Sequence, residues 1–163
     1  MIAQRSWETL QMPTRSRTRN LADQHFIEVA KTQFQFLIDK YDYVIAEKSD
    51  YSGGVAVLYK NAGVHAAVSV GMDRRDRWVY VRFINSDPEA ADQRVIRSSY
   101  LLENILALRS SEAGAALSKH LVQNTVEELT DELSKHASYT SLYADDVLKG
   151  DFKIFRELDL MPR

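Results

Sequence analysis

From residue 20 onward the apolar positions of the chain recur three or four residues apart. Phe26, Val29 or Ala30, Phe34, Leu37 and Tyr41 form one stripe along a single helix, as 3.6 residues per turn requires. Asn20 suits its N-cap and Asp23 its first turn, where the helix dipole favours a carboxylate. After Tyr41 the period drops to two, the mark of strands. The segments YVIAEKS (43–49), GVAVLYK (54–60), VHAAVSVGM (64–72) and RWVYVRFIN (77–85) predict four of them. Their links are too short for parallel crossovers, so an antiparallel meander is expected. Asn61-Ala62-Gly63 joins the second strand to the third, with Gly63 expected in the left-handed conformation. Asp73-Arg74-Arg75-Asp76 is expected to be a solvated hairpin turn, because aspartates bond their own backbone there. Ser86-Asp87-Pro88-Glu89 stops the sheet.

Helical spacing then returns. YLLENILALR (100–109) predicts a short helix, and Leu117, Leu121, Val126 (or Thr125), Leu129 and Leu133 mark a longer one from Glu112 to His136. SLYADDVLKG is a last helical region closed by Gly150 as its C′ glycine. Phe152, Phe155 and Leu158 are left to seal one end of the core. The class is α+β: an amino-terminal helix, a four-stranded antiparallel meander sheet, and carboxyl-terminal helices packed on that sheet. Residues 1–19, with Pro13 and the TRSRTR run, are expected as a mobile basic arm, and residues 20–163 as one α+β domain. Either Met1 or Met12 can begin the functional chain.

Alternation sorts the fourth strand into Val79, Val81 and Phe83 on one face, and Trp78, Tyr80, Arg82 and Ile84 on the other. The third splits into Val64, Ala66, Val68 and Val70 against His65, Ala67, Ser69 and Gly71. The aliphatic faces should carry the helices. On the opposite face, small residues beside large aromatics suggest a shallow depression walled by Trp78 and Tyr80. If a helix or the arm covers that face, its aromatics are core. If the face is open, Trp78, Tyr80 and Arg82 are the residue types that dominate binding hot spots.

Length and composition narrow the class. A chain of 163 residues fits one domain and buries about two thirds of its unfolded surface without covalent staples. It has no cysteine, which removes disulfides, thiolate catalysis and zinc ribbons together, and suits a reducing cytoplasm. The cytoplasm is the expected location. No signal-peptide h-region and no apolar run of about 20 residues appears. The formal charge is -2, so no global field draws nucleic acid or anionic lipid. The charge is nevertheless uneven: Arg15, Arg17 and Arg19 are basic, while Glu127, Glu128, Asp131, Glu132, Asp145 and Asp146 make the last third acidic.

Catalytic patterns are missing. There is no G-x-G-x-x-G, Walker loop or G-x-S-x-G, and His25, His65, His120 and His136 form no H-E-x-x-H. Glu132 and His136, four apart, suggest a surface ion pair, or else two ligands of a metal site. The helix–strand–strand–strand order resembles metal-dependent nucleases that place an Asp and an E-x-K on adjacent strands. Glu47-Lys48 lacks the intervening residue, and the second and third strands carry no carboxylate. No catalytic residue, metal or cofactor is assigned. A nucleic-acid surface would need the arm to converge with Arg74, Arg75, Arg77, Arg82, Arg94 and Arg97, against the negative net charge.

LIDKYDY, VAVLYKN, VSVGMDRRDRWVYVRF, LLENILALR and YADDVLKGDFKIFREL together resemble small uncharacterised bacterial α+β proteins of the immunity-protein type. The resemblance spans residues 26–160 and implies a non-catalytic protein that neutralises a secreted toxin by binding it. The expected partner surface joins Trp78, Tyr80 and Arg82 to an acidic helix around Glu128 and Asp131, which would steer a basic toxin or effector. The alternative is a small-ligand or nucleotide pocket at Ala67, Ser69, Gly71 and Arg82. Nucleic-acid binding through the arm is a third reading.

Overall fold

The two-residue alternation does build an antiparallel sheet, but with five strands rather than four. The computed structural model describes residues 15–51, 53–87, 99–117 and 125–161, with the backbone alone at 15–21 and 47–51. Its strands are β1 (Val44–Tyr51), β2 (Gly54–Asn61), β3 (Ala66–Asp73), β4 (Val79–Asn85) and β5 (Ser99–Leu101), hydrogen-bonded in sequential order. Every neighbouring pair is antiparallel. β5 occupies positions expected to open a helix. Tyr100 pairs with Phe83, and the helix α3 (Leu102–Arg109) begins only afterwards. The Asn104 amide oxygen accepts from the Leu101 N–H at 3.0 Å, capping that start.

The first helix differs at both ends from its sequence pattern. α1 spans Arg15–Gln33, so Asn20 lies inside the helix rather than capping it, and Arg15, Arg17 and Arg19 belong to its first turns. The arm up to residue 14 lies outside the described residues. Asp23 is not in the first turn. It is buried and pairs with Arg74 of the β3–β4 turn at 2.6 Å. At Phe34 (φ -102°, ψ 16°) the axis breaks, and α2 (Gln35–Tyr41) carries the same stripe onward. Phe26, Ala30, Phe34, Leu37 and Tyr41 are all buried as the spacing requires.

The long helix expected from Glu112 to His136 is two. α4 (Ser111–Leu117) ends before residues outside the described set, and α5 (Val126–Tyr143) starts afresh. Thr125 caps it, its hydroxyl accepting from the Glu128 N–H at 3.2 Å, a capping signal that the apolar stripe concealed. α5 absorbs Ser141–Tyr143 and stops at Ala144. The turn α6 (Asp145–Leu148) follows, and then α7 (Lys153–Asp159). Gly150 is the left-handed residue after α6 (φ +85°). A Cβ there would meet Val64 at 2.8 Å, so side chain and conformation both demand glycine.

One face of the sheet carries the core. Val55, Val57 and Tyr59 of β2, Val68 and Val70 of β3, Val79, Val81 and Phe83 of β4, and Tyr100 of β5 cluster with Phe26, Leu106, Leu117, Leu133 and Phe155 of the helices. Burial pushes the Tyr43 and Tyr59 phenols above their ordinary range. Long-range polar contacts fasten the carboxyl-terminal segment. Tyr41 donates to Asp145 at 2.7 Å, Tyr43 to the Leu148 carbonyl at 3.2 Å, and Tyr100 to Asp159. Among the described residues no helix is long and apolar enough to cross a membrane.

Candidate functional site

Cross-strand register fixes what the other face of the sheet displays. Ala56, Gly71 and Tyr80 lie in one row, Leu58, Ser69, Arg82 and Leu101 in the next, and Lys60, Ala67, Ile84 and Ser99 in a third. Ala56 and Ala67 are buried yet stand outside the core cluster, as do Leu58, Tyr80, Ile84 and Leu101. The described helices therefore form one layer and this face is the opposite surface. Trp78 and Tyr80 are each partly buried, and Arg82 is exposed. Their side chains stack in sequence. The two rings are 5.9 Å apart and inclined by 45°, and the Arg82 guanidinium lies 5.8 Å from the centre of the Tyr80 ring, within cation–π range.

The expected depression beside Gly71 is filled. A Cβ on Gly71 would overlap the distal atoms of the Tyr80 ring, so that ring lies across the glycine rather than beside it. Gly71 and Ala67 are both buried. Of the expected pocket residues, Ser69 is partly exposed and Arg82 exposed. Small residues on β3 exist here to seat a large neighbour from β4, the usual cross-strand complement.

The acidic part of the expected surface is elsewhere. Glu128 and Asp131 are exposed, but α5 packs on the core side through Leu129, Leu133 and Ala137. The sheet therefore lies between these carboxylates and Trp78, and the structure does not join the two groups into one surface. Asp73-Arg74-Arg75-Asp76 is a hairpin turn. The Asp73 carboxylate accepts from the Arg75 and Asp76 N–H groups at 2.8 and 3.0 Å, and Arg77 takes the left-handed conformation. Arg94 and Arg97 lie outside the described residues.

Glu132 and His136 are not the surface pair that their spacing suggested. His136 is 1% exposed and Glu132 6%, with Glu103 of α3 on the far side of the imidazole. Nothing in the linear pattern signalled this, because Glu103 is a whole element away. Among the described residues no three histidines, aspartates or glutamates converge to hold a metal ion. An open groove of about 440 Å³ between the first helices and α5, lined by Gln33, Phe36, Ser134, Ser138 and Leu142, carries no ionisable side chain. No protein-family model, curated protein or solved structure matches this chain.

Proposed function

We propose that this protein acts by binding another protein through the open face of its sheet, as a non-catalytic immunity- or antitoxin-like factor. The observation that carries the reading is the Trp78–Tyr80–Arg82 series, on a face that the described helices do not use. A sheet face normally buries large aromatics under a second layer. Here Trp78 and Tyr80 are each only partly buried, and Leu58, Ile84 and Leu101 in the neighbouring rows are partly exposed as well. Trp, Tyr and Arg give most of their binding energy when a partner completes their desolvation. The Tyr80 ring is preorganised over Gly71, so docking would cost it little side-chain entropy.

The test is affinity capture from lysate of cells that make the protein. Trp78→Ala should weaken retention of the partner at least tenfold, with Tm falling by no more than about 4 °C, which corresponds to roughly 1 kcal/mol in a domain of this size. Glu128→Ala should leave retention unchanged. Folded Trp78→Ala, Tyr80→Ala and Arg82→Ala variants that keep everything the wild type captures would overturn the reading.

A further inference from the structure

The seam between α3 and α5 holds ionisable groups that the sheet face does not use. The His136 Nδ1 lies 2.9 Å from the Glu132 carbonyl oxygen of its own helix and 3.4 Å from Glu132 Oε1. A carbonyl oxygen only accepts, so Nδ1 carries a hydrogen. The other ring nitrogen, Nε2, faces Glu103 Oε1 at 3.9 Å. Nε2 and both Glu103 carboxylate oxygens are buried, and among the described residues none has a hydrogen-bond partner. A bare Nε2 opposite an ionised Glu103 would set two acceptors against each other away from solvent, which costs the desolvation of both.

Charge balance points the same way. Lys135 Nζ meets Glu132 Oε2 at 3.1 Å, so that carboxylate already has its cation. Glu103 has none. α1 and β4 also pack on α5, but among the described residues they bring no further carboxylate within the 4.0 Å ion-pair distance of the ring. Among the described residues, Glu103, Glu132 and, through Glu132, Lys135 are thus the charged groups at His136.

We propose that the native protein holds one buried proton between His136 Nε2 and Glu103, and that this proton couples the docking of α3 on α5 to pH. On Nε2 the proton makes an imidazolium–carboxylate pair; on Glu103 it makes a carboxylic acid donating to a neutral imidazole. The proton count is the same in either form. In an unfolded chain above about pH 6.5, histidine is neutral and glutamate ionised. The native state then binds one proton more than the unfolded state, so stability falls as pH rises, by up to tenfold in the folding equilibrium per pH unit.

Glu103→Gln separates the proton from the contact, because a Gln amide donates to a neutral Nε2 without one. Urea unfolding from pH 6.5 to 8 should show a wild-type slope steeper than that of Glu103→Gln by about one proton. Equal slopes in two folded proteins would overturn the proposal. Nitrogen-15 shifts of His136 and carbon-13 shifts of the Glu103 carboxyl, read in the wild type at pH 7, test it without a variant. A proton on either group supports it, and a bare Nε2 beside an ionised Glu103 refutes it.

Discussion

Tyr80 packs across Gly71, and this single pair decides what the open face is. Alternation along β4 fixes the side on which Tyr80 emerges, but not whether its ring stands up as a wall or lies down over its cross-strand neighbour. Lying down puts the ring in the space over Gly71 where a depression was expected. Gly71→Ala is therefore expected to displace the Tyr80 ring rather than unfold the sheet, since the overlapping atoms are at the far end of a half-buried side chain. The loss should be about 1 kcal/mol, with a clear change in Trp78 fluorescence because the two rings are neighbours. Unaltered emission would mean that the rings are not coupled as described. A similar lesson holds at the β2–β3 connection. Gly63 was the expected left-handed residue, but His65 takes that conformation (φ 52°) after a short 3₁₀ turn over Ala62–Val64. The Asn61 side chain accepts from the Gly63 N–H at 2.9 Å, which holds residue 63 within the turn and moves the reversal two residues on.

Among the elements, the carboxyl-terminal turn α6 depends on ionic ties. The Arg109 guanidinium at the end of α3 makes two bonds to Asp146, Nη1–Oδ1 at 2.7 Å and Nη2–Oδ2 at 2.5 Å, and a third to the Tyr143 carbonyl. Arg109 thereby holds the Asp146 carboxyl below its usual range. Lys149, and then Tyr41, pull neighbouring Asp145 down to about 2. A carboxylate depressed in the folded state adds stability above its unfolded pKa near 3.9 and loses that contribution as pH falls through the folded value. Arg109→Ala should cost about 1 kcal/mol at neutral pH. Its difference from wild type should shrink below pH 4 as Asp146 gains its proton. A pH-independent difference in urea midpoints would show that Arg109 acts by packing alone. β1 and β5 are the two edges of the sheet. The register shift in β1 between Ile45 and Glu47 disfavours pairing at that edge.

For the whole molecule, the layer arrangement makes the two faces of one strand energetically unequal. Phe83 is buried against the helices, and its chain neighbour Ile84 sits on the opposite face, partly exposed. Phe83→Ala should cost about 3–5 kcal/mol, enough to remove much of the stability of an ordinary domain. Ile84→Ala should cost about 1 kcal/mol or less. Comparable losses at the two positions would mean that a second layer covers the open face.

Periodicity alone determined the class of the fold, the buried stripe of the first helices and the inward faces of β3 and β4. Those features follow from local geometry, in which side-chain direction depends only on position along a helix or strand. It also determined that Trp78, Tyr80 and Arg82 share a face turned away from the aliphatic interior. Tertiary structure decided the rest. Tyr100 and Leu101 continue a helical spacing in the sequence, yet with Ser99 they form β5 because they pair with β4. Glu128 and Asp131 were separated from Trp78 by which side of the sheet α5 packs on. Glu103 and His136 met because two helices distant in sequence were pressed together around a core. Contacts of that kind depend on long-range packing, and no local pattern in the chain encodes them.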